Sequence, residues 1–424
     1  MSSTTYIVSA VRTPIGKFGG ALADLTAADL GVIAVRAAVE RAFGEVPGGK
    51  KPGERSPQPI DIVSGTETSK SAHHVDEVIF GNARPAGVGP NVARQIAWRS
   101  GLGDDVPAFT VNLACASGLR AILLGWQQIM TGMAEIVVVG GAESMSRVPY
   151  LIEGRWGFKM GHQPLIDSMY RDGFLCPMSE MLMGETADLL AAEFNIPREE
   201  QDAFALESQH RAARASAGCR FKAEIVAVEK TDRKGNVIRI DKDEHIRPDV
   251  TAGDLAKLAP VFSKTGTVTA GNSSGITDGA AALVLVSEAK LRELKIAPLA
   301  RIVDAAVAAV EPHRMGVGPV PAIRRLVKRT GTCLAEYDAV ELNEAFAAQV
   351  LACDRVLGFN RERLNPNGGA IALGHPIGAS GARITTTLLH ELRRRAADAK
   401  SGRRGLATLC VSGGLGVALE IEAL

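Results

Sequence analysis

Cys115, in TVNLACASGL, stands where a strand-like run ends and a helical pattern begins. Backbone N–H groups at a helix start favour an anion, so a thiol there is expected to have a lowered pKa and raised nucleophilicity. The other reading is a buried small hydrophobe, the common fate of a free cysteine. His375 lies in NPNGGAIALGHPIGASGAR, among Gly368, Gly369, Gly374, Gly378 and Gly381. Such a loop is entropically costly and usually brings backbone close to something. His375 is there either as a general base or as a structural hydrogen bonder. Cys410, in TLCVSGGLG, ends a strand before a glycine turn. It is a packing residue, a second thiol that shuttles a proton, or the disulfide partner of Cys115. Asn343 and Glu344, in ELNEAFAAQ, follow a strand and open a helix. Asn343 serves either as an N-cap or as the holder of a water or carbonyl oxygen.

The elements that must position these groups alternate. Tyr6–Ala10 reads as a strand and 22–43 as an amphipathic helix. Residues 45–74 carry Pro, Gly and polar residues without a period and read as a surface excursion. Val75–Phe80 and Phe109–Leu113 read as strands, and 116–131 has helical apolar spacing. Glu135–Val139 is an apolar run, suited to a strand covered on both faces, with Gly140 and Gly141 expected to close it. From about 145 to 276 the texture changes to loops, a Met-rich stretch and one long polar helix at 197–217. Alternation resumes near 280, and VALEIEAL at the end reads as a returning strand.

The flanks repeat one another. VDEVIFGN (75–82) aligns with YDAVELNE (337–344), and ASGLRAI (116–122) with ASGARIT (379–385). Each is followed by an apolar strand ending in glycines. Two such units packed together predict layered α/β sheets. Pseudo-twofold packing would aim Cys115 and the His375 loop at one another.

At 424 residues the chain is long enough for two or three modules. A formal net charge of +1 offers no bulk attraction for nucleic acid or a membrane surface, and 4% aromatics argues against base stacking. No apolar run approaches the roughly 20 residues that span a bilayer. Six cysteines, none in C-x-x-C or zinc-site spacing, predict neither a metal site nor a disulfide framework. The start has no signal-peptide pattern, so a cytoplasmic protein is expected.

Taken together, these segments resemble the thiolase family. The resemblance rests on Cys115, Asn343-Glu344-Ala345-Phe346, Gly374-His375-Pro376 and Cys410-Val411-Ser412-Gly413-Gly414, in order. VRTPIGKFGG (11–20), MGETAD (183–188) and GTVTAGNSSGITDGAAA (266–282) also look like thiolase segments, so nearly the whole chain apart from 45–74 is covered. The resemblance implies a five-layer α/β/α/β/α fold of two duplicated halves with an inserted loop domain. The expected division is 1–144, completed by 277–296, then a loop domain 145–276, then 297–424.

The resemblance also implies reversible, CoA-dependent cleavage of a 3-ketoacyl-CoA through a cysteine thioester, as in β-oxidation. His375 would activate Cys115, and Cys410 would exchange the α-proton of acetyl-CoA. Asn343, through a water, and His375 would serve one oxyanion; the backbone N–H groups of Cys115 and Ser412 would serve the other. Ser412 departs from the Gly of many relatives, and a positive φ there would strain a serine. Coenzyme A contacts are implied at Arg247, Ala270, Ser274 and Met183, and a substrate or coenzyme A contact at Phe346. Short-chain relatives often carry His where this chain has Leu182, which favours a longer or broader 3-ketoacyl substrate over acetoacetyl-CoA. No permanent cofactor is implied; coenzyme A and acyl-CoA are substrates, and a homodimer or homotetramer is expected.

Alternatives remain. One is a biosynthetic acetoacetyl-CoA thiolase condensing two acetyl-CoA. A decarboxylating, ketosynthase-like enzyme would lack Cys410. A non-catalytic lipid carrier would have lost one of Cys115, His375 or Cys410.

Overall fold

The computed structural model describes residues 4–44, 73–231, 234–396 and 403–424. Most of the excursion expected at 45–74 lies outside them. Nine strands run through one sheet path: β1 Thr5–Arg12, β2 Glu77–Gly81, β3 Ala108–Val111, β4 Ile136–Ser144, β5 Thr277–Ser287, β6 Ala300–Ala309, β7 Ala339–Leu342, β8 Arg403–Val411 and β9 Leu415–Ala423. Their order is β7-β8-β9-β6-β1-β5-β4-β2-β3, and the two-residue strand Gly16–Lys17 adds to β5. The halves meet where β1 pairs with β6, through Tyr6↔Arg301 and Ile7↔Ala300. Beyond that seam each half repeats the other. β2–β3, β2–β4 and β7–β8 are parallel, and the strands nearer the seam are antiparallel.

The layers follow from strand alternation, because successive side chains point to opposite faces. In β4, Val137 and Val139 face a central core, and Ile136 and Val138 face an outer one. The helices that fill these cores are α1 Ala27–Phe43, α2 Val92–Arg99, α3 Ser117–Met130, α4 Met183–Glu193, α5 Arg198–Ala217, α6 Pro319–Thr330, α7 Ala347–Leu357 and α8 Ile377–Ala396. The central core holds Leu119 and Ile122 of α3 with Ile384 and Leu388 of α8. The outer core of the first half holds Leu30 of α1 and Ile96 of α2. That of the second half holds Ile323 of α6 and Val350 of α7. The stack is therefore α/β/α/β/α, with α3 and α8 as the shared middle layer.

That middle layer is tight because both helices present glycine. A Cβ on Gly118 would lie 2.9 Å from the Ala382 nitrogen, and one on Gly381 would lie 2.2 Å from the Leu119 nitrogen. These are the aligned positions of ASGLRAI and ASGARIT, so the contact is reciprocal, as a pseudo-twofold axis requires.

Two sequence expectations shift. The first helix starts at Ala27 rather than 22, because Thr26 and Asp29 form a capping box that fixes the end. Gly140 and Gly141 do not close their strand, which runs on to Ser144 paired with Asp278. Their role is clearance: a Cβ on Gly141 would lie 2.0 Å from the Gly378 carbonyl oxygen.

Between the halves, 145–276 contributes α4, α5 and three two-stranded hairpins. The α4 helix packs on α7, and α5 lies against the turn Ala370–Leu373 that precedes His375. Among the described residues no helix is long and apolar enough to cross a membrane.

Candidate active site

Cys115 sits in a 3-10 turn, Ala114–Ala116, immediately before α3. Ala114 holds a φ of 42°, a region uncommon for a residue with a Cβ. Local hydrogen bonds sustain it. The Ser117 hydroxyl donates to the Ala114 carbonyl at 2.7 Å and accepts from the Leu113 N–H at 2.9 Å. The Ala114 N–H donates to Asn112 Oδ1 at 3.0 Å. The turn sets Cys115 against Ala83, Met145, Met169 and Ile377, at the wall of a cavity.

Its ionisation departs from the sequence expectation. Burial pushes the Cys115 thiol above its ordinary value, and Arg84 and the N–H groups of Ser412 and Cys115 only partly oppose this. The helix-start argument omitted desolvation, which penalises the thiolate more than the dipole helps it. Cys115 therefore rests as a thiol and needs a base.

His375 can be that base. It precedes α8 in a turn held by Gly374, whose φ is 102°. The His375 N–H donates to the Gly275 carbonyl at 3.0 Å. The Ser380 hydroxyl donates its one proton to the Pro376 carbonyl at 3.0 Å, so at 2.5 Å it accepts from Nδ1–H of His375. That leaves Nε2 unprotonated, buried and without a protein partner. Burial, then Arg383 and Arg84, pull the His375 pKa down to about 3, so the ring is neutral near pH 7.

Cys410 is buried, one residue from the end of β8. Burial, then Cys115 and Cys353, hold its thiol protonated. Both thiols are free, so the disulfide reading does not describe this structure. Ser412 does not have a positive φ; the left-handed turn falls on Gly413 and Gly414, at 89° and 83°. The serine is thus accommodated without strain, and its N–H faces the Cys115 sulfur.

Cys115, His375, Cys410 and Ser412 line one cavity of about 70 Å³. An adjoining cavity of about 220 Å³ shares Met183, Ser274, Phe346 and His375 with it and leads outward past Phe262. Phe262 and Phe346 meet edge to face, 6.3 Å between centroids. Met183, Ser274 and Phe346, which the resemblance implied as substrate or coenzyme A contacts, line both cavities. Arg247 and Ala270 are exposed and line neither cavity, and Leu182 lines neither.

Asn343 and Glu344 do not open the next helix, which begins at Ala347 after Phe346. The Asn343 side chain is buried, with both amide atoms lacking a protein partner, so it is not an N-cap. Glu344 accepts from Ser208 Oγ at 2.6 Å, Asn365 Nδ2 at 2.8 Å and the Ile371 N–H at 3.1 Å. It ties α5 to the turn that carries His375.

Sequence reasoning missed three participants. Glu143 accepts from Asn82 Nδ2, from the N–H groups of Ala83 and Arg84, and from the Gly378 N–H, joining the two halves beside the cavity. Ser380 orients His375. Arg84 lines the inner cavity. Repeat register offered a signal for Arg84, since it aligns with Phe346.

Known proteins resemble this chain along its length. Residues 5–47 and 66–289 match the thiolase N-terminal domain, and 296–423 match the thiolase C-terminal domain. An acetyl-CoA acetyltransferase of Chromobacterium violaceum is 47% identical over 417 residues, covering 98% of both chains. A probable acetyl-CoA acyltransferase of Staphylococcus aureus is 45% identical over 98% of both. The crystal structure of human mitochondrial 3-ketoacyl-CoA thiolase superposes with a TM-score of 0.89 at 40% identity, covering 100% of both. That of Bacillus anthracis acetyl-CoA acetyltransferase gives 0.89 at 42% identity, covering 100% of this chain and 99% of that one. The chain belongs to the thiolase family.

Proposed function

We propose that this acyltransferase cleaves 3-ketoacyl-CoA with coenzyme A, passing the acyl group through Cys115. The observation that carries the reading is the convergence of two protonated thiols and one neutral imidazole on a single cavity.

His375 Nε2 takes the Cys115 proton, and the thiolate attacks the C3 ketone. The C2–C3 bond breaks, leaving the acyl group on Cys115 and acetyl-CoA as its enolate. Cys410 protonates C2 and becomes a thiolate. Incoming coenzyme A gives its thiol proton to Cys410 and attacks the thioester. Imidazolium returns its proton to Cys115. Each half-reaction builds negative charge on an oxygen. The Cys115 and Ser412 N–H groups serve one such oxygen. The His375 imidazolium, with a water held by Asn343, serves the other. The outer cavity takes the pantetheine arm along Met183 and Ser274, and Arg247 and Ala270 meet the coenzyme beyond its mouth.

Run in reverse, the same groups condense two acyl-CoA molecules. Leu182, where short-chain relatives often have His, lines neither cavity, so it gives the choice of chain length no contact to act through. The six unpaired cysteines suit a reducing cytoplasm, and the enzyme works as a homo-oligomer.

The test separates the two thiols. Incubation with acetyl-CoA should add one acetyl group, about 42 Da, to Cys115, as covalent catalysis requires. Cys115→Ala should show no adduct. Cys410→Ala should still be acetylated, yet fail to exchange the methyl protons of acetyl-CoA with deuterium. An adduct on any other residue would overturn the reading.

A further inference from the structure

Among the described residues three arginines are deeply buried. Arg12 is paired with Glu224 and Asp243, and Arg383 faces Glu341 at 3.5 Å. Arg84 differs. It is 6% exposed, yet among the described residues it makes no ion pair. One Nη donates to the Ala83 carbonyl at 3.1 Å, and Nε has no partner. The adjacent carboxylate, Glu143, is already occupied, with two donors on each oxygen. Glu143 still supplies a nearby negative charge, but its oxygens are taken, so the spare donors of Arg84 are left for acceptors from elsewhere.

Its position says where those acceptors would come from. Arg84 lines the inner cavity with Cys115, His375 and Cys410, and does not line the outer cavity that admits coenzyme A. The two cavities share Phe174, Met183, Ser274, Phe346, His375 and Ile377, so Arg84 stands at the inner end of one continuous space, beside the reactive sulfur. The guanidinium lies over Gly173, where a Cβ would come within 2.3 Å of its Nη2. The remaining wall is apolar, with Phe174, Met315 and Ile377, and supplies no counter-charge. A cavity of about 70 Å³ is roughly half the 150 Å³ that holds a benzene, so the acyl group it takes is short.

We propose that Arg84 is a specificity residue that binds a carboxylate at the far end of a short acyl chain. The preferred substrates are then 3-ketoacyl-CoA esters whose acyl part is a dicarboxylic half-thioester rather than a plain alkyl chain. A planar guanidinium can meet a carboxylate with two parallel hydrogen bonds. This inference rests on the thiolase reading and narrows its substrate class.

The test compares two substrates of equal chain length, 3-oxohexanoyl-CoA and 3-oxohexanedioyl-CoA. Thiolysis of the second yields succinyl-CoA and acetyl-CoA. The wild-type kcat/KM should favour the carboxylated substrate by about 30-fold or more, the effect expected of a buried charge pair. Arg84→Leu should bring that ratio toward one, and Arg84→Lys should retain part of it. A wild-type ratio of one or below overturns the proposal without any variant needing to fold. A ratio unchanged in Arg84→Leu, with both rates lowered together, also overturns it and assigns Arg84 to the Cys115 thiol. If wild-type enzyme cleaves neither substrate, the thiolase reading fails first, and this inference with it.

Discussion

Ser380 accepts the Nδ1 proton of His375 at 2.5 Å because its own proton is committed to the Pro376 carbonyl. One hydroxyl thereby sets the tautomer of the base and aims Nε2 into the cavity. Such orienting partners are worth about 10- to 100-fold where they have been removed from other sites. Ser380→Ala should lower kcat by about that factor with little change in KM. Steady-state kinetics of the purified variant check it, and an unchanged kcat would mean the ring is held by other contacts.

Asn343 makes a different kind of prediction. Its amide is buried with both polar atoms unspent, so it contributes no protein hydrogen bond through its side chain. Removing an unpartnered buried amide does not sacrifice stability. Asn343→Ala should lower kcat by about 100-fold, the worth of one oxyanion donor, while the thermal midpoint holds or rises. A midpoint lowered by several degrees would show that the amide supports the fold instead.

The imidazole sets the pH response. Its pKa falls from an ordinary 6.5 to about 3 in the folded chain. The neutral base therefore persists through the mildly acidic range, and acylation of Cys115 should show no acid limb near 6.5. Stopped-flow acylation between about pH 5 and 8 reads this directly. Stability behaves oppositely to activity. Below 6.5 the unfolded chain binds a proton that native His375 refuses, so stability falls as pH falls. The slope is about 1.4 kcal/mol per pH unit from this group, ending near pH 3. Denaturant titrations at two pH values, compared with His375→Asn, isolate it; equal slopes would refute the depressed pKa.

Gly381 is the steric prediction. A Cβ there would meet Leu119 backbone at 2.2 Å, with no flexible side chain to yield. Gly381→Ala should destabilise by about 3 kcal/mol or more, the upper range for overpacking. Gly253→Ala, where the nearest atom is 3.7 Å away within an exposed short helix, serves as the control and should be neutral or mildly stabilising. Thermal melts of both variants decide it.

The duplication and the layered α/β sheets were legible because each leaves a local mark; the count of five layers came with the resemblance to the thiolase family. Apolar runs such as IVVVG declare a strand buried on both faces, and ASGLRAI with ASGARIT declares a repeated strand–helix unit. Cys115, His375 and Cys410 carry chemistry that few other residue types supply. What the chain alone could not decide was set by distant neighbours. Desolvation raised the Cys115 thiol where the helix start alone would lower it, because the enclosing groups come from both halves. The glycines at 140 and 141 looked like a strand end; Gly140 instead leaves room for Phe80 and the Ala281 carbonyl, and Gly141 for Gly378, more than two hundred residues away. That Arg84 makes no direct ion pair is likewise invisible in sequence, where acidic residues are plentiful; only folding shows that the nearby Glu143 already has its donors. Residue type and short-range pattern are properties of the chain. Solvation, close approach and charge pairing depend on what the fold brings together.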